Sequence, residues 1–459
     1  MRCSEGGAFA CYFAMGAVVA AALALALGGA AAQDGTRTWL LTRAYNASGQ
    51  QLFEQLSAAP GNIVLSPYSI GTAMAMALAG ARGETEREMI EVLKHRLDRP
   101  EIDAVNAIVL STLNSYDRST TTPACPEGMR LNAERCEGAL PANGQCIFPA
   151  RREGGLCVAA PRHPPSAKLV VADALMLTRH GAVVSKDYIA LLKDKYAAEV
   201  FDGAGLEQIN GWVARKTEGK IDKILDRLDQ SSTAVLINAI YFKAAWASTF
   251  RKEDTRADAF HLSSSAAVQV PTMHKRAYYS MVARPGYRAI RLPYVVNDLN
   301  MVVVLPDAVD GLADLAARLG TEEAAELFGA LLRNGQTRYV DLSLPRFKTA
   351  FKAELVTPLR EAGMRLPFNP NRADFSGITG RPLSEERLVI SQIVHRAVIE
   401  VQEEGTEAAA ATAVEMSRTS APPNPEPFRV DRPFLFYIVD YATRAILFQG
   451  RIVDPRSTT

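Results

Sequence analysis

Val401-Gln402-Glu403-Glu404-Gly405-Thr406-Glu407-Ala408-Ala409-Ala410-Ala411-Thr412-Ala413-Val414-Glu415-Met416-Ser417-Arg418-Thr419-Ser420-Ala421-Pro422-Pro423-Asn424-Pro425-Glu426-Pro427 changes character half-way along. Every second residue from Thr406 (Ala408, Ala410, Thr412, Val414, Met416) is uncharged and mostly small. The intervening set, Glu407, Ala409, Ala411, Ala413, Glu415 and Ser417, holds both internal glutamates. A strand with one face toward a core and one toward water needs this alternation. The prolines that follow lack an N–H and oppose helix, so the second half is predicted as exposed loop. Two plainer readings compete: a flexible linker, or an alanine-rich helix over Glu403 to Ala413. A segment written for both loop and strand suggests a switch between two states. Extended from Thr406 to Thr419 it would span roughly 45 Å at about 3.3 Å per residue.

Upstream of this stretch, Ser391-Gln392-Ile393-Val394-His395-Arg396-Ala397-Val398 is an apolar strand pattern in which His395 reads as a hydrogen-bonded core residue rather than a catalyst. Downstream, Phe434 to Val439 and Ala445 to Gln449 read as a hairpin around Tyr441-Ala442-Thr443. Near the start, Arg37 to Leu56 is helical in pattern. Ser66-Pro67 opens a helix whose apolar or small residues recur at Ile70, Ala73, Met74, Ala77, Leu78 and Ala81. Further helices are expected from Glu84, over Ile102 to Asn114, Asp187 to Tyr196, Ile209 to Leu228, Gly311 to Gly329 and Phe351 to Ala362. Strands are expected over Lys168 to Leu177, Ala234 to Phe242, Ala289 to Leu292, Met301 to Leu305 and Tyr339 to Leu344. Helices cluster early and strands late without βαβ alternation, which predicts an α+β fold with large antiparallel or mixed sheets.

The chain has 459 residues, 48% of them hydrophobic, enough for a large core in one α+β domain over 33–459. Its 51 basic and 50 acidic residues leave no basic footprint for nucleic acid or an anionic membrane. The six histidines are scattered without ligand spacing, so no metal is expected. No Gly-rich phosphate loop, His-Glu-x-x-His or Gly-x-Ser-x-Gly is present, and no cofactor is implied. Residues 1–32 read as an export signal: Arg2, an apolar run from Phe13 to Leu27, and Ala30-Ala31-Ala32 before Gln33. The alternative is an uncleaved anchor. Export predicts an extracellular or periplasmic location, with no membrane contact after cleavage.

Between 119 and 166 the core pattern gives way to proline, glycine, arginine and four cysteines, Cys125, Cys136, Cys146 and Cys157. In an exported chain these predict two disulfides in an insertion too small to bury a core of its own. A zinc site would want closer cysteine pairs than the nine or ten intervening residues found here. Sequence leaves the pairing open.

Four separated stretches resemble the serpin family. They are Asn62-Ile63-Val64-Leu65-Ser66-Pro67-Tyr68-Ser69-Ile70, then Leu236-Ile237-Asn238-Ala239-Ile240-Tyr241-Phe242-Lys243 with Trp246, then Glu403-Glu404-Gly405-Thr406-Glu407-Ala408-Ala409-Ala410, and finally Phe428-Arg429-Val430-Asp431-Arg432-Pro433-Phe434-Leu435-Phe436. They occur in the family's order and span nearly all of the exported chain; the 119–166 insertion departs from the pattern. The resemblance implies about nine helices and three β-sheets, with residues 403–427 as a reactive-centre loop. It also implies a peptidase inhibitor rather than an enzyme, acting as a monomer. A serine-type endopeptidase would cut the loop, which would then enter the central sheet and trap the acyl-enzyme.

The hinge implied is Glu403, Glu404, Gly405, Thr406, Glu407, Ala408, Ala409, Ala410, Ala411 and Thr412. Counting along it puts the scissile bond at Thr419-Ser420, for an elastase-like target; Arg418-Thr419 is the alternative, for a trypsin-like one. Ser66, Ser69, Asn238 and His395 match positions where the family's sheet opens. Glu403 is expected to pair with Arg346 at the insertion point. Three other readings stand beside this one: a non-inhibitory carrier or binding protein on the same fold, a trap for a cysteine peptidase, and a partner-recognition role for the insertion.

Overall fold

The computed structural model describes residues 34–118, 125–132, 135–142, 144–146, 150–159, 166–178, 184–203, 205–228, 233–333, 336–385, 387–406 and 424–458. The segment 1–32 expected to direct export therefore lies outside the described residues.

Helix α1 (residues 34–56) and strand β1 (Ile63–Leu65) lead into α2 (Pro67–Gly80). Ser66 caps α2: its hydroxyl accepts from Ser69 N, and Pro67 fills the first turn, where no N–H is needed. All fourteen residues of α2 are buried. The sequence permits this because the helix carries no charge and alternates Met and Leu with Ala and Gly, so neighbours approach closely. A Cβ at Gly71 would sit 2.3 Å from the Tyr45 ring. Full burial of Met74, Met76 or Leu78 is worth about 1.5–3 kcal/mol each. Helix α3 (Gly83–Val92) follows. Helix α4 (Arg99–Asn114) opens on a capping box between Asp98 and Glu101.

The second half is dominated by two sheets. One contains β14 (Phe347–Glu354), β15 (Ile390–Gln402), β16 (Gly405–Thr406), β8 (Ala234–Ala245), β6 (Ala167–Leu177) and β7 (Glu199–Asp202), in that order. The other has nine strands. Its path runs β1, β19 (Ala445–Ile452), β18 (Phe434–Asp440), β12 (Leu299–Pro306), β11 (Tyr287–Pro293), β10 (Ala266–Arg284), β13 (Thr337–Pro345), β17 (Glu426–Arg429), with β9 (Arg256–Ser263) paired to β10. Helix α2 packs on both β8 and β19, so the main core lies around it, between the sheets. A second core covers the other face of the six-stranded sheet, where Ile209, Trp212 and Val213 of α6 (Leu206–Lys216) meet Ala172, Ala174, Val235 and Ile237. Helices α5 (Lys186–Tyr196), α7 (Leu312–Arg318), α8 (Thr321–Leu332), α9 (Val356–Glu361) and α10 (Ser376–Thr379) complete ten α-helices among the described residues. The fold is α+β with three sheets, as expected.

The third sheet belongs to the insertion: β2 (Arg130–Asn132), β3 (Arg135–Ala139), β5 (Leu156–Ala159) and β4 (Arg151–Glu153) pair only with one another. Disulfides join Cys125 to Cys136 and Cys146 to Cys157, so the cysteines pair in sequence order.

Four sequence expectations need correction. The helix expected over Gly311 to Gly329 is two, α7 and α8, broken at Leu319-Gly320. Residues 347–354 form strand β14, and only Val356–Glu361 is helix. The helix expected to Leu228 stops at Lys216, where Glu218 and Gly219 take positive φ. Pro427, placed in unpaired loop, lies in β17 opposite Asp341. That strand is at the sheet's edge, where a residue without an N–H is tolerated.

Candidate functional site

Strands β8 and β15 run parallel and pair from Ile390↔Ala234 to Val398↔Tyr241. Beyond Val398 they part, and β16 occupies the gap, antiparallel to both: Thr406 opposite Val401 and Ala244, Gly405 opposite Gln402 and Ala245. The chain turns back on itself at Glu403-Glu404 and enters the sheet as a two-residue strand. Gly405 is required there. Its φ is +147°, and a Cβ would sit 2.2 Å from Ala244 O.

Backbone and side-chain groups of the segment that follows β8 hold this turn, together with Arg346. Trp246 Nε1 donates to Gln402 O (2.9 Å), Trp246 N to Glu404 O (3.0 Å) and Phe250 N to Glu403 O (2.9 Å). Lys252 pairs with Glu404. Glu403, 1% exposed, accepts from Thr255 Oγ1 and from Arg346, whose Nε lies 2.7 Å away. Burial pushes the Glu403 carboxyl up, but these hydrogen bonds outweigh it and hold the group below the usual carboxylate value. The Thr406 side chain is fully buried and reaches Tyr294, which stacks on Trp246 at 4.6 Å.

Below β16 a polar row crosses the sheet. Asp173 of β6 is in register with Asn238 of β8, and Asn238 with His395 of β15. All three are buried and lie on the α2 side. Asn238 Nδ2 donates toward Asp173 Oδ1, Ser69 Oγ and Ser69 O; His395 Nδ1 meets Asn238 Oδ1. Ser66 N donates to His395 Nε2 at 3.3 Å. A backbone N–H can only donate, so Nε2 accepts and the proton sits on Nδ1, facing the Asn238 oxygen. His395 is neutral in this arrangement, and burial pushes it down to about 3. Burial pushes Asp173 up to about 7, against the pull of the Asn238 hydrogen bond. The row offers no activated nucleophile. Its chemistry is that of a hydrogen-bonded fastening across β6, β8 and β15.

The structure thus brings Ser66, Ser69, Asn238 and His395 into one cluster, and Arg346 onto Glu403. Glu403, Glu404, Gly405 and Thr406 are described; Glu407, Ala408, Ala409, Ala410, Ala411, Thr412, Arg418, Thr419 and Ser420 lie outside the described residues. Sequence reading missed Asp173, Thr255 and Tyr294. Asp173 carried a signal: it is the one acid in the otherwise apolar run from Leu169 to Leu177. Nothing local marked Thr255 or Tyr294.

The chain matches the family model described as Serpin (serine protease inhibitor) over residues 43–455. Iripin-2 of Ixodes ricinus is 33% identical over 90% of this chain and 93% of its own length. An uncharacterized serpin-like protein of Thermococcus kodakarensis is 31% identical over 91% and 86%. Among solved structures, Serpin48, a highly specific serpin of the insect Tenebrio molitor, aligns with TM-score 0.68 and 27% identity, covering 90% of this chain and 98% of its own. The thermophilic serpin Tengpin in its native state aligns with TM-score 0.71 and 25% identity, covering 90% and 94%. The sheets, the inserted hinge strand and these matches agree that the chain belongs to the serpin family.

Proposed function

We propose that this serpin is an exported covalent-trapping inhibitor of a serine endopeptidase. Serpins are protease inhibitors and not enzymes. The observation that carries the reading is β16: Gly405-Thr406 already lies between β8 and β15, so the sheet accepts the loop's first residues as a strand. Continued entry of Glu407 to Thr419 would separate β8 from β15 by one more strand spacing, about 4.8 Å, and exchange their mutual pairing for two new ladders. The small, uncharged alternate residues Ala408, Ala410 and Thr412 suit the buried face of such a strand. The bond attacked is Thr419-Ser420, with Arg418-Thr419 as the alternative register.

Mixing the protein with an elastase-like and a trypsin-like serine peptidase tests this. A complex with one of them should survive denaturing electrophoresis. The released C-terminal fragment should begin at Ser420 by mass; a start at Thr419 selects the arginine register. Reversible inhibition alone, or binding without any cleavage, sinks the trapping reading in favour of a carrier on the same fold. A stable complex with a cysteine peptidase only would reassign the target class.

A further inference from the structure

Asp173 is 2% exposed, and its carboxyl touches one donor. Oδ1 accepts from Asn238, while Oδ2, wholly buried, has no hydrogen-bond partner. The titratable groups that face it are Tyr45 of α1, Tyr68 of α2 and, across Asn238, His395 of β15. Beyond Tyr45 come Tyr196 and Asp103, hydrogen-bonded to each other. β8 presents only Asn238, and α6 packs on the opposite face of the sheet. Among the described residues no cation faces Asp173. Its neighbour His395 cannot become one without losing the Ser66 N–H, because Nε2 accepts that bond. A carboxylate here would be a buried charge with neither counterion nor full hydrogen bonding, and such a group sheds its charge by binding a proton.

We propose that Asp173 holds a proton in the closed molecule and that this proton keeps the β8–β15 seam shut, so that proton loss loosens the seam. The inference rests on the loop-insertion reading for its use, but not for its chemistry. With the proton bound, every member of the Asp173–Asn238–His395 row is neutral and the row fastens three strands. Without it, the charge is relieved only by water, and parting of β8 from β15, the displacement that loop entry requires, opens the row to it. Asp173 is a positioning residue: it touches no substrate and acts through Asn238.

The sign follows from linkage. The open, solvated carboxyl titrates near its ordinary value, about 3.9, while the closed one titrates higher. Between those values the closed form holds the extra proton, so Asp173 favours closure at low pH and loses that effect as pH rises through about 7. His395 opposes it, since its burial disfavours the closed state on the acid side. The informative quantity is therefore the ratio between the natural chain and Asp173→Asn, in which the contribution of His395 cancels.

Hydrogen exchange on the full chain reads the seam directly. Protection of the amides of β8 and β15, corrected for intrinsic exchange, is measured at pH 6 and pH 8 in both proteins. The wild-type to Asp173→Asn ratio of protection should fall on the order of tenfold across that range. A ratio that does not change with pH overturns the proposal. A second arm adds a synthetic peptide of residues 406–419 to the intact proteins. The ratio of its uptake rates should rise by a similar factor from pH 6 to pH 8, and a flat uptake ratio removes the gating role. A peptide that enters at neither pH, with the exchange ratio changing as stated, fails the insertion reading and leaves the proton on Asp173 standing.

Discussion

The Thr406 and Tyr294 hydroxyls lie 2.7 Å apart in a site closed to water, and they tie the second residue of β16 to the residue immediately after β11. Either can donate. Tyr294→Phe keeps the ring and its stacking on Trp246 but leaves the Thr406 hydroxyl without its partner. The loss should be about 1–3 kcal/mol, the cost of leaving a buried hydroxyl unpaired. Amides of Gly405 and Thr406 should exchange faster while those of β6 do not. Unchanged exchange at 405–406 would mean that backbone pairing alone seats β16.

Arg346 and Glu403 form the other clasp. Glu403 is buried, whereas the arginine side chain is 41% exposed, so the pair is only partly desolvated. Arg346→Ala leaves Thr255 and the backbone as the remaining partners of the carboxylate and should cost about 2–3 kcal/mol, less than the roughly 3–5 kcal/mol of breaking a fully buried pair because the arginine is half-exposed. Because the folded carboxyl sits below its usual value, this stability is present above the unfolded value and fades as pH falls through the folded one. Denaturant midpoints of wild type and Arg346→Ala should converge on acidification. Midpoints that stay parallel from pH 7 to pH 3 would contradict the assignment.

His95 should dominate the acid side of the stability curve. It is buried, packs edge-on against Tyr45 at 5.8 Å, and neither ring nitrogen has a hydrogen-bond partner. Burial pushes it down to about 4. A depressed histidine lets the unfolded chain bind the extra proton below about 6.5, so stability is lost as pH falls through that value toward 4. At pH 5 the loss is about 2 kcal/mol. The matching loss from His395 is offset over much of this range by Asp173, which is shifted the opposite way. His95→Phe should therefore remove most of the decline in guanidinium midpoint between pH 7 and pH 5. A decline of full size in that variant would place the acid sensitivity elsewhere.

The parts of the fold legible in the sequence were those with one dominant environment. Strand β8 reads as a continuous apolar run because all but one of its residues are buried. Helix α2 is bounded by Ser66-Pro67 and Gly80, whose backbone preferences are local. The end of β14, from Phe351 to Glu354, reads as part of the helix that follows because Phe351, Leu355 and Leu359 recur every four residues and imitate a helical face across the strand-to-helix junction. The 19-residue β10 passed unread because its burial alternates regularly over neither half. At the site, the hinge and the Ser66–Asn238–His395 cluster came from residues quoted by position. The contacts of Tyr294 and Thr255 depend on strands brought together from more than a hundred residues away, and no local pattern encodes them.

The insertion leaves and rejoins the main body at one point, which makes it separable. Ala167 N donates to Tyr116 O (2.9 Å) and Arg118 N to Ser166 Oγ (2.9 Å), so the two ends are already joined by backbone and side-chain bonds. Both disulfides close within the insertion, each across a sequence separation of 11, and neither ties it to the main sheets. Cross-links of that loop size are worth about 3 kcal/mol to the unit they close, so they stabilise the small sheet and not the serpin body. Replacing residues 119–165 with Gly-Gly should leave the melting temperature within about 3 °C of wild type, because among the described residues no main-core side chain is removed. Trapping of the peptidase identified in the electrophoretic test should persist in the deletion variant. If it folds but no longer traps, the insertion contributes to target contact; if it fails to fold, the insertion packs on the body more tightly than its pairing within a separate sheet implies.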